Sequence, residues 1–124
     1  MPARRRLLVI DADATSRTMF KHMLALRGHK VWLAATADDA LEIATTVVVE
    51  VVLYDWSFRD DSGIGLARKL RAASAWPLVI VALTVLDEPE GFREREDIDD
   101  YFVKPALLDA VEHAFESALT RRHP

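Results

Sequence analysis

Short apolar runs that end abruptly in acids or small polar residues constrain this chain more than any other feature. Arg6–Ile10, Lys30–Ala34, Val51–Tyr54, Leu78–Leu83 and Tyr101–Val103 are each too short for a buried helix. Most are also too continuously apolar for a strand wetted on one side, so they suit strands buried on both faces. Segments of helical periodicity separate them, and that alternation predicts a parallel sheet with helices packed on both sides. The expected fold is α/β, with the five strands in one parallel, doubly wound sheet. It should form a single domain over residues 1–124 with its core at about 6–120, a length within the usual domain range.

The helical segments have readable ends and faces. Thr15–Arg27 places Met19, Met23 and Leu26, with Phe20 and Leu24, on one expected inward face, and Gly28 suits the residue after a helix end. Asp38–Thr46 opens on Asp38 as expected N-cap, with Leu41 and Ile43–Ala44 inward. Val47–Val49 fits either a strand or a helix end. Ile64–Ala73 reads as a third helix. Leu107–Leu119 reads as the last, with Leu108, Val111, Ala114, Phe115 and Leu119 inward. Eight of the fourteen residues in Asp87–Asp100 are acids, interrupted by Pro89 and Gly91, with Phe92 and Ile98 as the main apolar anchors. That composition predicts a short, exposed, mobile helix or partly irregular loop.

Composition removes whole classes of function. The chain has no cysteine, which excludes a disulfide framework, a thiolate metal site and a cysteine nucleophile. Its apolar runs fall short of a membrane span, and MPARRRLLVIDAD lacks the apolar stretch of a signal peptide, so a cytoplasmic protein without membrane contact is expected. A net charge of −4 argues against nucleic acid as ligand. Arg4, Arg5 and Arg6 at one end, and Arg121, Arg122 and His123 at the other, read as solvated ends.

Ligands of open parallel sheets gather beyond the carboxyl ends of the strands. Those ends carry Asp11 and Asp13, then Asp55, then Ala82–Thr84, then Lys104. Clustered carboxylates repel one another, a cost commonly offset by a divalent cation. An oxygen-only donor set favours Mg²⁺ over zinc.

Two families share parts of this pattern. Asp11-x-Asp13-x-Thr15 after an apolar strand resembles the first motif of haloacid-dehalogenase phosphatases, and VIVALT, ending at Thr84, resembles their second. That resemblance implies Asp11 as nucleophile and Asp13 as general acid. It stops there, because Asp99 and Asp100 precede the strand leading to Lys104, whereas that family's final acids follow its lysine. A flavin-binding flavodoxin is disfavoured because the acidic first loop has no phosphate-cradling glycines.

The second resemblance runs from Leu7 to Phe115. RGHKVWLAATADDALE, VVLYDWSFRDDSG with Gly63 after Asp55, and DDYFVKP with its Lys104–Pro105 pair together resemble the receiver domain of two-component response regulators. The resemblance implies Asp55 as phospho-acceptor and Lys104 as the lysine that pairs first with the acceptor carboxylate and then with phosphoryl oxygens. It implies Asp11 and the backbone carbonyl of Ser57, with Asp55, as the Mg²⁺ ligands, Tyr101 as the aromatic switch residue, and a cis bond before Pro105. Implied partners are a histidine kinase or phosphotransferase, and a downstream protein docking on the last helix, fifth strand and acidic segment. The resemblance also implies a flavodoxin-like topology, and a signalling module rather than an enzyme.

The pattern is broken at two places of consequence. Ala12 stands where the family has the direct metal ligand, and Asp13 falls one position further on, where a side chain at a strand end points to the opposite side. Counting back from Lys104, the family's Ser/Thr switch position falls on Ala82, with Thr84 two residues beyond. Arg59 replaces a common proline, and Asp97–Ile98 stand where glycine–alanine is common. A weakened Mg²⁺ site is therefore expected. The alternative reading is a degenerate pseudo-receiver that docks partners without being phosphorylated.

Overall fold

A computed structural model describes residues 3–55, 65–84 and 97–122. The expected Ser57, Arg59 and Gly63 features, and most of the acidic segment, lie outside the described residues. Five strands, β1 (Arg6–Ile10), β2 (Lys30–Ala34), β3 (Val51–Asp55), β4 (Val79–Thr84) and β5 (Asp100–Val103), form one parallel sheet in the order β2-β1-β3-β4-β5. The described helices are α1 (Ala14–Leu26), α2 (Ala37–Thr46), α3 (Leu66–Ala73) and α4 (Leu108–Arg122). Sheet order reverses beside β1, so the switch point opens between the carboxyl ends of β1 and β3.

Alternation along the strands divides the core in two. Leu8, Ile10, Val52, Tyr54, Ile80 and Ala82 pack under α2 and α3, whereas Leu7, Val9, Val51, Leu53, Val81 and Leu83 pack under α1 and α4. Every described β4 residue is buried, as expected of a central parallel strand. Val47 caps α2 in extended conformation, and Val49 is buried beside β3, so Val47–Val49 belongs to neither a helix nor a strand.

Three expectations are corrected. On α1 the buried stripe is Leu24 with half-buried Phe20; Met19, Met23 and Leu26 are 51%, 37% and 75% exposed. With 3.6 residues per turn these are adjacent stripes, and burial of one turns the other outward. The N-cap of α2 is Thr36, whose hydroxyl accepts from the Asp39 amide at 3.1 Å; Asp38 sits in the first turn, where the helix dipole favours an acid. Three residues of the basic ends are partnered. Arg5 grips Glu116 through two nitrogens and reaches Glu50 at 3.2 Å, Arg6 lies over the Trp32 ring, and Arg122 donates to Asp99 at 2.9 Å.

Two polar clusters pin the elements together. His29 Nδ1 accepts from the Arg5 amide at 2.9 Å, which leaves Nε2 to donate to buried Glu112 at 2.8 Å. Glu112 also accepts from Arg27, so the α1–β2 junction is tied to α4. On the other side Asp99 accepts from Arg71 at 2.9 Å, from Arg122, and from the Ile80 amide at 2.8 Å, fixing the entry to β5. Asp97 has φ 58°, the left-handed region that Asp tolerates better than most residues. That accounts for a glycine being common at this position in the receiver pattern.

Candidate functional site at the carboxyl edge of the sheet

Asp11, Asp55 and Lys104 meet where the strands end. Leu7–Ile10 pairs with Val51–Tyr54, so Asp11 falls level with Asp55 and on the same face. The Asp11 amide still donates to Ala34 O at 3.1 Å, prolonging the ladder by one bond. Its side chain is buried, and Oδ1 accepts from the Asp13 amide at 2.9 Å. Lys104 follows β5 directly and lies on that face too; its Nζ donates to Asp55 Oδ2 at 3.2 Å. The Lys104–Pro105 peptide is cis, and the Lys104 amide donates to Thr84 O at 2.6 Å.

The electrostatics follow from that crowding. Burial pushes the Asp11 carboxyl up and the neighbouring Asp55 carboxylate pushes it further, while the Asp13 amide and the Lys104 ammonium oppose the rise. Two carboxylates share one partly dry site with a single described ammonium between strands. Mg²⁺ is characteristically held by one or two carboxylates and several waters, and Asp11 with Asp55 fits that donor set. Among the described residues no group of three His, Cys, Asp or Glu side chains converges on one point.

Asp13 is occupied elsewhere. Its carboxylate caps α1, accepting from the Ser16 amide at 3.0 Å and the Ser16 hydroxyl at 2.9 Å. Those bonds, the hydroxyl's first, hold its carboxyl below the usual range. Neither a metal-ligand role nor a general-acid role uses the side chain as it stands in the structure. Ala12 is exposed, and its carbonyl, like that of Asp11, accepts from Arg17.

Strand register locates the two switch candidates. Ala82 lies level with Tyr54 and Tyr101, fully buried in the α2–α3 half of the core. Asp55 is level with Leu83, so Ala82 is one step short of the site and Thr84 one step beyond it. Thr84 shares a face with Ala82 and Tyr101 and stands at the carboxyl edge. Continuation of β4 through Thr84, one residue past the expected Leu83, brings this hydroxyl to the edge.

Sequence reasoning did not single out Arg17. A usable signal was present, since a cation in the first turn of a helix opposes the dipole unless a specific partner holds it.

A family model described as the response regulator receiver domain matches residues 7–116. Among curated proteins, a probable transcriptional regulator from Cyanidium caldarium is 28% identical over 93% of this chain and 46% of its own length. The virulence transcriptional regulatory protein PhoP of Salmonella typhimurium is 28% identical over 95% of this chain and 53% of its own. The chain thus spans about half the length of these two relatives. Among solved structures, a CheY-like receiver domain protein from Methanospirillum hungatei superposes with TM-score 0.80 at 23% identity, covering 97% of each chain. The receiver domain of a Pseudomonas aeruginosa sensor histidine kinase, with magnesium coordinated in its active site cleft, gives 0.75 at 23%, covering 95% of this chain and 99% of that one.

Proposed function

This chain belongs to the response regulator receiver domain family, and from that premise we propose that it accepts a phosphoryl group on Asp55 from a histidine kinase or phosphotransferase. The observation that carries the reading is Lys104 Nζ at 3.2 Å from the Asp55 carboxylate, with Asp11 beside it at the carboxyl edge. An Asp55 oxygen attacks the phosphorus of a phosphohistidine; the new O–P bond forms as the N–P bond breaks, and the imidazole leaves. Lys104 shifts from carboxylate to phosphoryl oxygen. No general base is needed, because a carboxylate has no proton to lose. Bound Mg²⁺ supplies further neutralisation of the phosphoryl oxygens. Asp11 and Asp55 would hold it, and Ala12 leaves this site weaker than one with a third carboxylate.

Thr84 takes the hydroxyl position of the switch in this reading, because it carries a hydroxyl on the Tyr101 face one step beyond Asp55, while Ala82, one step short, has none. The phosphoryl donor approaches over α1, where Met19, Met23 and Leu26 are exposed beside a hollow lined by Ala14, Thr15, Thr18 and His22. A downstream protein uses β5 and α4, where Val103 and, immediately before the helix, Leu107 are exposed. Incubation with phosphoramidate and Mg²⁺, followed by intact mass, should add one phosphoryl group to the native chain and none to Asp55→Asn. An unmodified native chain would favour the phosphorylation-independent docking module, for which the alanine at position 12 is the argument.

A further inference from the structure

We propose that Arg17 is a positioning residue for phosphoryl transfer: it fixes the turn by which the chain leaves β1, and so where the Asp11 carboxylate stands against Asp55. This rests on Asp55 being the acceptor. One nitrogen, Nη1, donates to Asp11 O at 2.8 Å and to Ala12 O at 3.0 Å. Successive carbonyls of an extended strand point in opposite directions, so two that converge on one nitrogen define where strand geometry ends. The first is the carbonyl of Asp11 itself, whose buried carboxylate is pressed towards Asp55.

The cation's location is otherwise unfavourable. Arg17 lies in the first turn of α1, where the dipole disfavours positive charge. Its charge favours the capping Asp13 carboxylate, and its guanidinium clamps the loop. The other described bonds of the loop leave those two carbonyls alone: the Asp11 amide holds Ala34, the Asp13 amide holds the Asp11 carboxylate directly, and the Asp13 carboxylate caps the helix. Only Arg17, among the described residues, restrains the carbonyls of both Asp11 and Ala12. With alanine at position 12, no carboxylate there can be ordered by a cation, so the clamp carries more of the burden of holding Asp11.

The test measures the Mg²⁺ dependence of Asp55 phosphorylation by phosphoramidate in the native chain, Arg17→Met, Arg17→Lys and Leu24→Val. Loss of a group that orients a metal ligand commonly weakens metal affinity about tenfold, and Arg17→Met should raise the half-saturating Mg²⁺ concentration by about that factor. Arg17→Lys should restore it to within about twofold, since a single ammonium can donate to both carbonyls. Leu24→Val, which loosens α1 from within the core, should lower the melting temperature and leave the Mg²⁺ dependence alone. Native Mg²⁺ dependence in Arg17→Met, or an equal shift in Leu24→Val, would overturn the proposal. Backbone amide spectra keep the two readings separate should the native chain remain unmodified. Arg17→Met should then still displace the Asp55 and Lys104 signals, and unmoved signals would overturn the inference on their own.

Discussion

Ala12→Asp should destabilise the chain without Mg²⁺ and stabilise it with Mg²⁺. The metal-free site already holds Asp11 against Asp55, with the burial of Asp11 and the charge of Asp55 both raising the Asp11 carboxyl, and Lys104 as the described counter-charge at 3.2 Å. Two unit charges 4 Å apart interact by about 1 kcal/mol in bulk water and about 4 kcal/mol at the effective dielectric of a protein surface. Position 12 is exposed, and neighbouring Cα atoms are about 3.8 Å apart, so the lower end applies. After partial offset by Lys104 the net cost is about 1 kcal/mol, or about 3–5 °C in melting temperature for a domain of this size. A ligand that binds only the folded state at about 100 times its dissociation constant contributes about 2.7 kcal/mol, enough to reverse that sign. The assay is four melting curves: native and variant, each with and without millimolar Mg²⁺. A native gain from Mg²⁺ equal to the variant's would refute the reasoning, because another group would then supply the oxygen that Ala12 lacks.

Asp11→Asn bears on pH. A carboxyl raised in the folded state contributes stability below its ordinary range, near 3.8, and loses it as pH rises through the raised value; the variant should therefore be more stable than native at pH 7, the gap closing near pH 3, in urea unfolding. Glu112→Leu strands the buried His29 Nε2 hydrogen and should cost about 1–3 kcal/mol, read from urea midpoints. In a double-mutant cycle with His29→Phe, that loss should be largely non-additive. Thr84→Val should abolish the amide shifts that a phosphoryl mimic at Asp55 sends to Tyr101, whereas Ala82→Ser should leave them in place. The opposite pattern would return the switch to Ala82.

What the sequence determined by itself was the set of local and near-local facts. β1 and β2 fall on the expected residues, and β3, β4 and β5 within one residue of them, because an apolar run bounded by polar residues marks a buried strand whatever it pairs with. Gly28 has φ 91° after α1, and the Lys104–Pro105 peptide is cis, both features that residue type alone makes available. The Asp11, Asp55 and Lys104 meeting was also legible, since parallel strands all point their carboxyl ends to one edge. Only the tertiary structure decided which stripe of α1 is buried, because two adjacent apolar stripes compete and the sheet can cover just one. Register placed Ala82 one step short of Asp55 and Thr84 one step beyond it: a count from Lys104 crosses the β4–β5 connection, whereas hydrogen-bonded pairing measures position directly. Asp13 was one of three acids until the chain turned at Ala12 and gave it a helix end to cap. Arg17, Glu112 and His29 were the least legible, because a side chain's partner across the fold leaves no spacing in the sequence. The bonds between Arg5 and Glu116, 111 positions apart, are of that kind. Composition said that these charges exist, and packing chose what they hold.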